Sequence, residues 1–315
     1  MAALIARRLL AIIPILLLVS FAVFMLISLV PGDAAVTLAG GIRATPQKIQ
    51  QVRDQLHLNE PILQQYWRWL SNAAQGNLGT SFYSRQPVSH EIAARLPVTL
   101  GMILAGLFVT LLIGVPLGLI SGMRAGSRID KGGRVYASIG IAVPDFVIAI
   151  VLVILVAVQW RLVPPSGYVG FSASPVEWLR HMALPAIALG IASGAVLSRQ
   201  LRASLVDTME SNYVRAAWAR GGSARTVVGK HALKNAAMPV VTVLGLQLGL
   251  LVGGTVILEQ IFSIPGMGTY FLRGISGFDL PVIQGVTIVF VLFMILMSLL
   301  VDIAYGFLNP KVRVH

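Results

Sequence analysis

The sequence predicts an all-α integral membrane protein with six transmembrane helices and a small external helical segment. Three observations predict it. Of 315 residues, 56% are hydrophobic and only 11% charged, whereas a water-soluble domain carries about 25% charged residues. Six apolar runs are long enough to cross the roughly 30 Å of a bilayer's hydrocarbon, which takes about 20 helical residues. The basic residues, which give a net charge of +12, gather in short segments on one side of those runs.

The first run is Leu9–Val30. Arg7 and Arg8 precede it, as they would in a secretory signal, but a signal's apolar region is only about 7–15 residues. The run has 22 residues and reads as a retained anchor. Segment 31–96 follows as an external cap. Thr45-Pro46 reads as an N-cap with Pro at the first helical position, and Ile49, Val52 and Leu56 fall at helical spacing. Asn59-Glu60-Pro61 starts a second helix in the same way, with Ile62, Leu63, Tyr66, Trp67 and Leu70 on one apolar face. Two readings stand for this pair: helices lying on the membrane surface or on each other, or a docking surface for an external partner. Trp67 and Trp69 suit a membrane–water interface in either case.

The second run is Pro97–Ser121, the third Val135–Val158, the fourth His181–Leu201, the fifth Ala236–Leu258 and the sixth Pro281–Tyr305. The fourth is rich in Ala and Gly, so it is expected among other helices rather than against lipid. Small residues recur four apart at Gly114, Gly118 and Gly122 and at Gly245, Gly249 and Gly253, a spacing that lets helix backbones approach closely, within the chain or with a second subunit.

Charge sets the orientation. Arg124, Arg128, Lys131 and Arg134 lie between runs two and three. Arg202, Arg215, Arg220, Arg225, Lys230 and Lys234 lie between runs four and five, with Arg199 just before them, and Lys311 and Arg313 close the chain. The other side has Arg161, Arg180 and Arg273. Both termini are therefore expected to be cytoplasmic, with the basic stripe beside anionic lipid rather than in a nucleic-acid groove. There are no cysteines, which excludes disulfides and thiolate metal sites. There is no P-loop: the closest run, Gly222 to Gly229-Lys230-His231, has six residues between its glycines and lacks the Ser/Thr. No His-Glu-x-x-His occurs, and no supported serine–histidine pair. The chain is expected to be no enzyme and to hold no cofactor or metal.

The connector between runs four and five is long and patterned. Asn212–Arg220 can form about two helical turns, stopped by Gly221-Gly222, and Ser223 can cap a second helix through Thr226, Val227, Lys230 and Leu233. Such a transverse helix either receives force from a soluble motor or rests on lipid as an amphipathic helix. Within the membrane, Asp145 follows Pro144 about ten residues into the third run, roughly 15 Å deep at 1.5 Å per residue. It either lines a solute path and meets an amino terminus or pairs structurally near the Pro144 break. Glu259, Asp302 and Arg199 stand near run ends, where they can reach water or headgroups, and His181 reads as an interfacial residue.

The connector resembles the EAA loop of ABC-importer permeases, on Tyr213-Val214-Arg215-Ala216-Ala217-Trp218-Ala219-Arg220-Gly221 and His231-Ala232-Leu233-Lys234-Asn235-Ala236 with Pro239. More narrowly it is similar to the dipeptide/oligopeptide/nickel family. Arg215 stands where many members have Glu, and the usual Leu-Pro becomes Leu233-Lys234 with the proline displaced to Pro239, a variant of the peptide branch. Leu29-Val30-Pro31-Gly32-Asp33, Gly76-Asn77-Leu78-Gly79 with Ser81, Phe262-Ser263-Ile264-Pro265-Gly266-Met267-Gly268, and Val301-Asp302 with Tyr305, Asn309-Pro310 and Arg313 extend the resemblance over nearly the whole chain, although Asn77 is often Asp in relatives.

The resemblance implies the type I ABC importer permease fold, built from residues 1–315 as a single transmembrane permease domain: 1–30, the external segment 31–96, runs two to four in 97–201, the coupling loop 202–235, and 236–315. It also implies an inner-membrane subunit that moves short peptides, di- or oligopeptides or glutathione-like. The implied partners are a second homologous permease, two cytoplasmic ATPases that bind ATP and magnesium, an external solute-binding protein, and membrane lipid. Tyr213, Arg215, Ala216, Ala217, Gly221 and His231 are the implied coupling residues. An ion-coupled carrier is the competing class. It calls for paired polar sites at mid-membrane and internal repeats, whereas the sequence offers one central carboxylate and no repeat.

Overall fold

The computed structural model describes residues 2–29, 35–36, 44–55, 58–223 and 226–308. Among them the chain is helical, and the one β pairing is an isolated bridge between Thr80 and Pro87. The helices are α1 (Ala2–Leu29), α2 (Pro46–Gln55), α3 (Ile62–Ala74), α4 (Val88–Met123), α5 (Arg128–Ala142), α6 (Asp145–Gln159), α7 (Pro175–Met209), α8 (Asn212–Ala219), α9 (Val227–Ile261), α10 (Met267–Ser276) and α11 (Leu280–Leu308). The end of α6 and the start of α9 are wound as π-helix. Among the described residues, four helices have the length and apolar composition of a span: α4, α7, α9 and α11. The bent pair α5–α6 makes a fifth if it is counted as one. The first predicted run falls in α1, whose described apolar stretch, Ile12–Met25, is by itself shorter than a span. The motif residues Val30–Asp33, Asn309, Pro310 and Arg313 lie outside the described residues, as do Leu56 and Arg225.

The chain divides into two compact units. One holds residues 1–8, 97–269 and 294–315; the other holds 9–96 and 270–293. The first unit is built around α7. Its apolar stretch is 67% buried, against 28% for α4 and for α9, as the Ala/Gly composition of the fourth run predicts. Ser174 caps α7 by accepting from the Glu177 amide at 3.3 Å, with Pro175 at the first helical position. The glycine stripe of α4 lies on α7. A Cβ on Gly114 would stand 3.0 Å from the Gly194 carbonyl oxygen, and one on Gly118 would stand 2.9 Å from the Ser198 carbonyl oxygen. Only glycine permits this approach. The second predicted stripe behaves differently: Gly245 packs on Val301, whereas a Cβ on Gly249 or Gly253 would find open space, with no neighbouring atom of the described residues within 4 Å.

The third predicted run is not one straight span. It breaks between α5 and α6, which meet at 100°. Val143 takes an extended conformation (φ −94°, ψ 119°) because the following proline disfavours the helical region. The depth of about 15 Å assigned to Asp145 assumed a continuous helix and does not hold. Tyr136 donates to the Ile191 carbonyl at 2.8 Å and fixes α5 to α7.

Glu259 corrects another expectation. It does not reach water or headgroups but is fully buried. It accepts from the Thr99 hydroxyl at 2.6 Å and the Thr269 amide at 2.8 Å, and Thr99 Oγ1 in turn accepts from the Met267 amide at 2.8 Å. These amides belong to the first turn of α10, whose N–H groups have no intrahelical partner, so a carboxylate there satisfies them and complements the helix dipole. Gly266 leaves the room: a Cβ would lie 2.2 Å from Glu259 Oε1. The Phe262–Gly268 motif is thus a socket for this carboxylate.

In the second unit, Thr45 caps α2 as predicted, with the Ile49 amide on its carbonyl at 3.0 Å and the Lys48 amide 3.4 Å from Oγ1. The start of α3 differs from prediction: Pro61 stands at the cap position without a side-chain cap bond. Its apolar residues also divide. Tyr66 is buried against Phe21 and Phe24 of α1, with its hydroxyl 2.8 Å from Ser20 Oγ, while Ile62, Leu63 and Trp67 are exposed. The Gly76–Ser81 motif is pinned by buried Asp279, which accepts from the Ser81 hydroxyl at 2.6 Å and the Phe82 amide at 3.1 Å.

Candidate functional site

Two sites in the first unit hold the residues singled out from sequence. The first is α8, framed by α7 and α9. Its two buried side chains, Val214 and Ala217, pack with Leu205 of α7 and with Val227, Ala232 and Ala236 of α9. All six are 6% exposed or less, so α8 is fixed to both flanking helices by a small apolar core of its own. The opposite face carries Tyr213, Arg215, Ala216 and Trp218, all exposed. Asn235 of α9 donates to the Tyr213 hydroxyl at 2.9 Å and braces that ring from the side. The Ser204 hydroxyl donates to the Ala236 carbonyl at 2.9 Å and joins α7 to α9 beneath the helix.

The exit from α8 follows the predicted stop. Gly221 has φ +76°, a conformation that costs other residues roughly 1 kcal/mol or more, and its amide donates to the Trp218 carbonyl at 2.9 Å. Among the described residues, no atom lies within 4 Å of where a Cβ on Gly221 would stand. Ser223 then caps the next helix, accepting from the Thr226 amide at 3.3 Å. Of the implied coupling residues, Tyr213, Arg215, Ala216 and Gly221 are thus on the open side, and Ala217 turns into the chain's own core. His231 lies on the helical stretch Val227–Ala232.

The second site is at the α5–α6 break. Asp145 opens α6, is half-buried, and accepts from its neighbour Phe146 N–H at 2.8 Å. It makes no ion pair with a described residue. Its Oδ2 lies against the backbone of Gly254 on α9, where a Cβ would come within 2.6 Å. A cavity of about 210 Å³ beside it is walled by Pro144, Ser193 of α7, and Gln247 and Leu250 of α9. Gln247 is only 6% exposed, and neither Gln247 nor Ser193 was singled out from the sequence. An amide in the interior of an otherwise apolar run was the available signal. A carboxylate without a cation among the described residues, beside an amide and a hydroxyl at a helix break, has the chemistry to hold an ammonium or a peptide group. Among the described residues, no cluster of three metal-ligating side chains occurs.

Comparison with known proteins gives the same assignment along the whole chain. The family model of the binding-protein-dependent transport system inner membrane component matches residues 114–314, and the N-terminal family model of the same membrane component matches residues 1–103. A putative peptide transport system permease protein of Brucella abortus is 38% identical over 99% of both chains. A probable peptide ABC transporter permease of Sinorhizobium fredii is 34% identical over 98% of both. The glutathione transport system permease GsiC of Escherichia coli K12 is 38% identical over 98% of this chain and 97% of its own. Among solved structures, an inward-facing MetNI methionine ABC transporter chain superposes with a TM-score of 0.55 at 17% identity, covering 70% of this chain and 96% of that one. The architecture is therefore the type I importer permease fold. With its helices arranged in that fold and both family models matched along its length, the chain belongs to the family of binding-protein-dependent transport system inner membrane components.

Proposed function

We propose that residues 1–315 act as one permease domain of an ATP-driven importer that carries short peptides, glutathione-like ones included, across the inner membrane by alternating access. Both termini would be cytoplasmic, with six spans, and the partners would be a second homologous permease, two ATPases that bind ATP and magnesium, and an external solute-binding protein. The observation that carries the reading is α8: a short helix with an open outer face and an inner face fixed to α7 and α9. A push on that helix reaches two membrane helices without being absorbed in a flexible loop. ATPase closure would move it and rock the permease pair between discrete packed states. Tyr213, Arg215, Ala216 and Gly221 would face the ATPase, with His231 beside them, while Ala217 holds the lever to the permease. Names of relatives that are 38% identical over nearly their full length support peptide as the substrate class. The Asp145 cavity would line the path, and its carboxylate suits a peptide's ammonium group.

The test is co-purification of the ATPases with this chain from mild detergent. Ala216→Trp and Gly221→Trp are expected to leave the chain in the membrane but remove the ATPases. Gly221→Ala, strained but small, should retain them, and Ala217→Trp should deplete the chain itself. Normal solute-stimulated ATP hydrolysis in the Ala216→Trp and Gly221→Trp complexes would refute the lever.

A further inference from the structure

A second cavity, of about 260 Å³, opens between α4, α5 and α7, toward the end of α7 that leads into α8. Arg134 of α5 and Arg199 and Arg202 of α7 line it, with hydroxyls from Ser121, Ser138 and Ser198. Among the described residues, one carboxylate answers these cations. Asp130 accepts from Arg202 Nε and, at 2.8 Å, from Arg202 Nη2, and lies 3.8 Å from Arg134 Nε. Arg199 is exposed and has no ion pair with a described residue. Three guanidinium groups against one carboxylate leave the wall positive.

Ser121 supplies an independent sign. It is 2% exposed, yet among the described residues its hydroxyl has no hydrogen-bond partner. Buried hydroxyls without partners are rare in folded chains and point to a missing ligand or water. The adjoining cavity, about 380 Å³, adds Lys131 and shares Arg134 and Ser138. Its remaining walls, Val135 and Ile139, are apolar and each 58% exposed. Cationic and hydroxyl groups thus meet a space with ample room for a phosphate group at the end of apolar helices, and an exposed apolar surface continues from it. A soluble phosphate would use only the first feature. An anionic lipid uses both, and basic pockets between membrane helices are suited to such headgroups.

We propose that this wall binds the phosphate of an anionic phospholipid, with Arg134 and Arg199 as its main contacts, Ser121 donating to a headgroup oxygen, and an acyl chain along Val135 and Ile139. Guanidinium groups suit this because their planar donors pair with phosphate oxygens at two points. Asp130 would act as a positioning residue that holds Arg202 at the rim. Because the ligand would touch α4, α5 and α7 together, it would brace the helices around the α5–α6 break.

The test uses the assembled transporter in mild detergent, offered phosphatidylglycerol and phosphatidylcholine together, with retained lipid counted by native mass spectrometry. The wild type is expected to retain phosphatidylglycerol preferentially. Arg134→Gln with Arg199→Gln should lower that retention roughly tenfold or more, equivalent to about 1.4 kcal/mol, while Arg199→Lys largely keeps it. Excess inorganic phosphate should displace none of it. Equal retention of both lipids, or unchanged retention in the double variant, overturns the proposal. Displacement by inorganic phosphate would assign the site to a soluble anion and overturn the lipid. If the double variant does not assemble, Ser121→Ala and Arg199→Gln singly decide, since Ser121 loses no protein partner. Unchanged retention in both overturns the proposal.

Discussion

Glu259 offers the sharpest test of how the α9–α10 turn is built. The carboxylate is fully buried and receives the Thr99 hydroxyl and the Thr269 amide. Glu259→Ala strands both donors in a site without water access, and at about 1–3 kcal/mol for each stranded group the loss is about 2–6 kcal/mol. Glu259→Gln keeps the volume but presents one oxygen and one N–H₂. The two donors address different carboxylate oxygens, so one of them meets the N–H₂ instead of an acceptor, and about half the loss is expected, about 1–3 kcal/mol. The native chain has no cysteine, so Met267→Cys introduces a single thiol at a fully buried position in the first turn of α10. Its reaction with a water-soluble maleimide reports opening of the turn. Adding Glu259→Ala should accelerate that reaction by about thirtyfold or more, the equivalent of 2 kcal/mol, and Glu259→Gln should fall between. Equal rates in all three backgrounds would mean that the buried carboxylate does not hold the turn, and the reasoning would be wrong.

Two further expectations follow from the packing and from the break. Gly118→Ala must displace α7 at the Ser198 carbonyl and should lower stability by about 1–3 kcal/mol, whereas Gly249→Ala, which enters open space, should stay within about 0.5 kcal/mol; thermal unfolding in detergent compares them, and equal losses would refute the stripe assignment. At Asp145, Asn should support more transport of a radiolabelled peptide than Lys, because Asn keeps the size and polarity of the side chain packed on Gly254 whereas Lys puts a cation of its own where a peptide's ammonium would sit; equal loss in both would mean that the negative charge itself is required.

Much of this was legible in the sequence because lipid imposes strict local demands. An apolar run of about 20 residues must be helical, since no water is present to satisfy its backbone. Thr45-Pro46 carries its own start signal and Gly221-Gly222 its stop, and each acts where the sequence places it. The exposed α8 with its flanking glycines was readable for the same reason. The buried fourth span was also readable, because Ala and Gly shrink a helix enough to let neighbours surround it.

What only the tertiary structure decided concerns partners distant in sequence. Glu259 looked like a group near a span end, and nothing local states that Thr99, 160 residues away, closes over it. Val143-Pro144 announces a break but not a 100° turn, because the helices that pack on the two halves, α7 on both and α9 on α6, are distant in sequence. Spacing alone could not tell that Gly114 and Gly118 meet α7 while Gly249 and Gly253 face open space. Likewise Ala216 and Ala217 are equivalent as letters, yet one faces out and the other seals a core. The sequence by itself determined which segments are long, apolar and helical, since that follows from solvation and backbone geometry within a few turns. Which side chains meet was decided by packing between helices, where contacts depend on the whole fold.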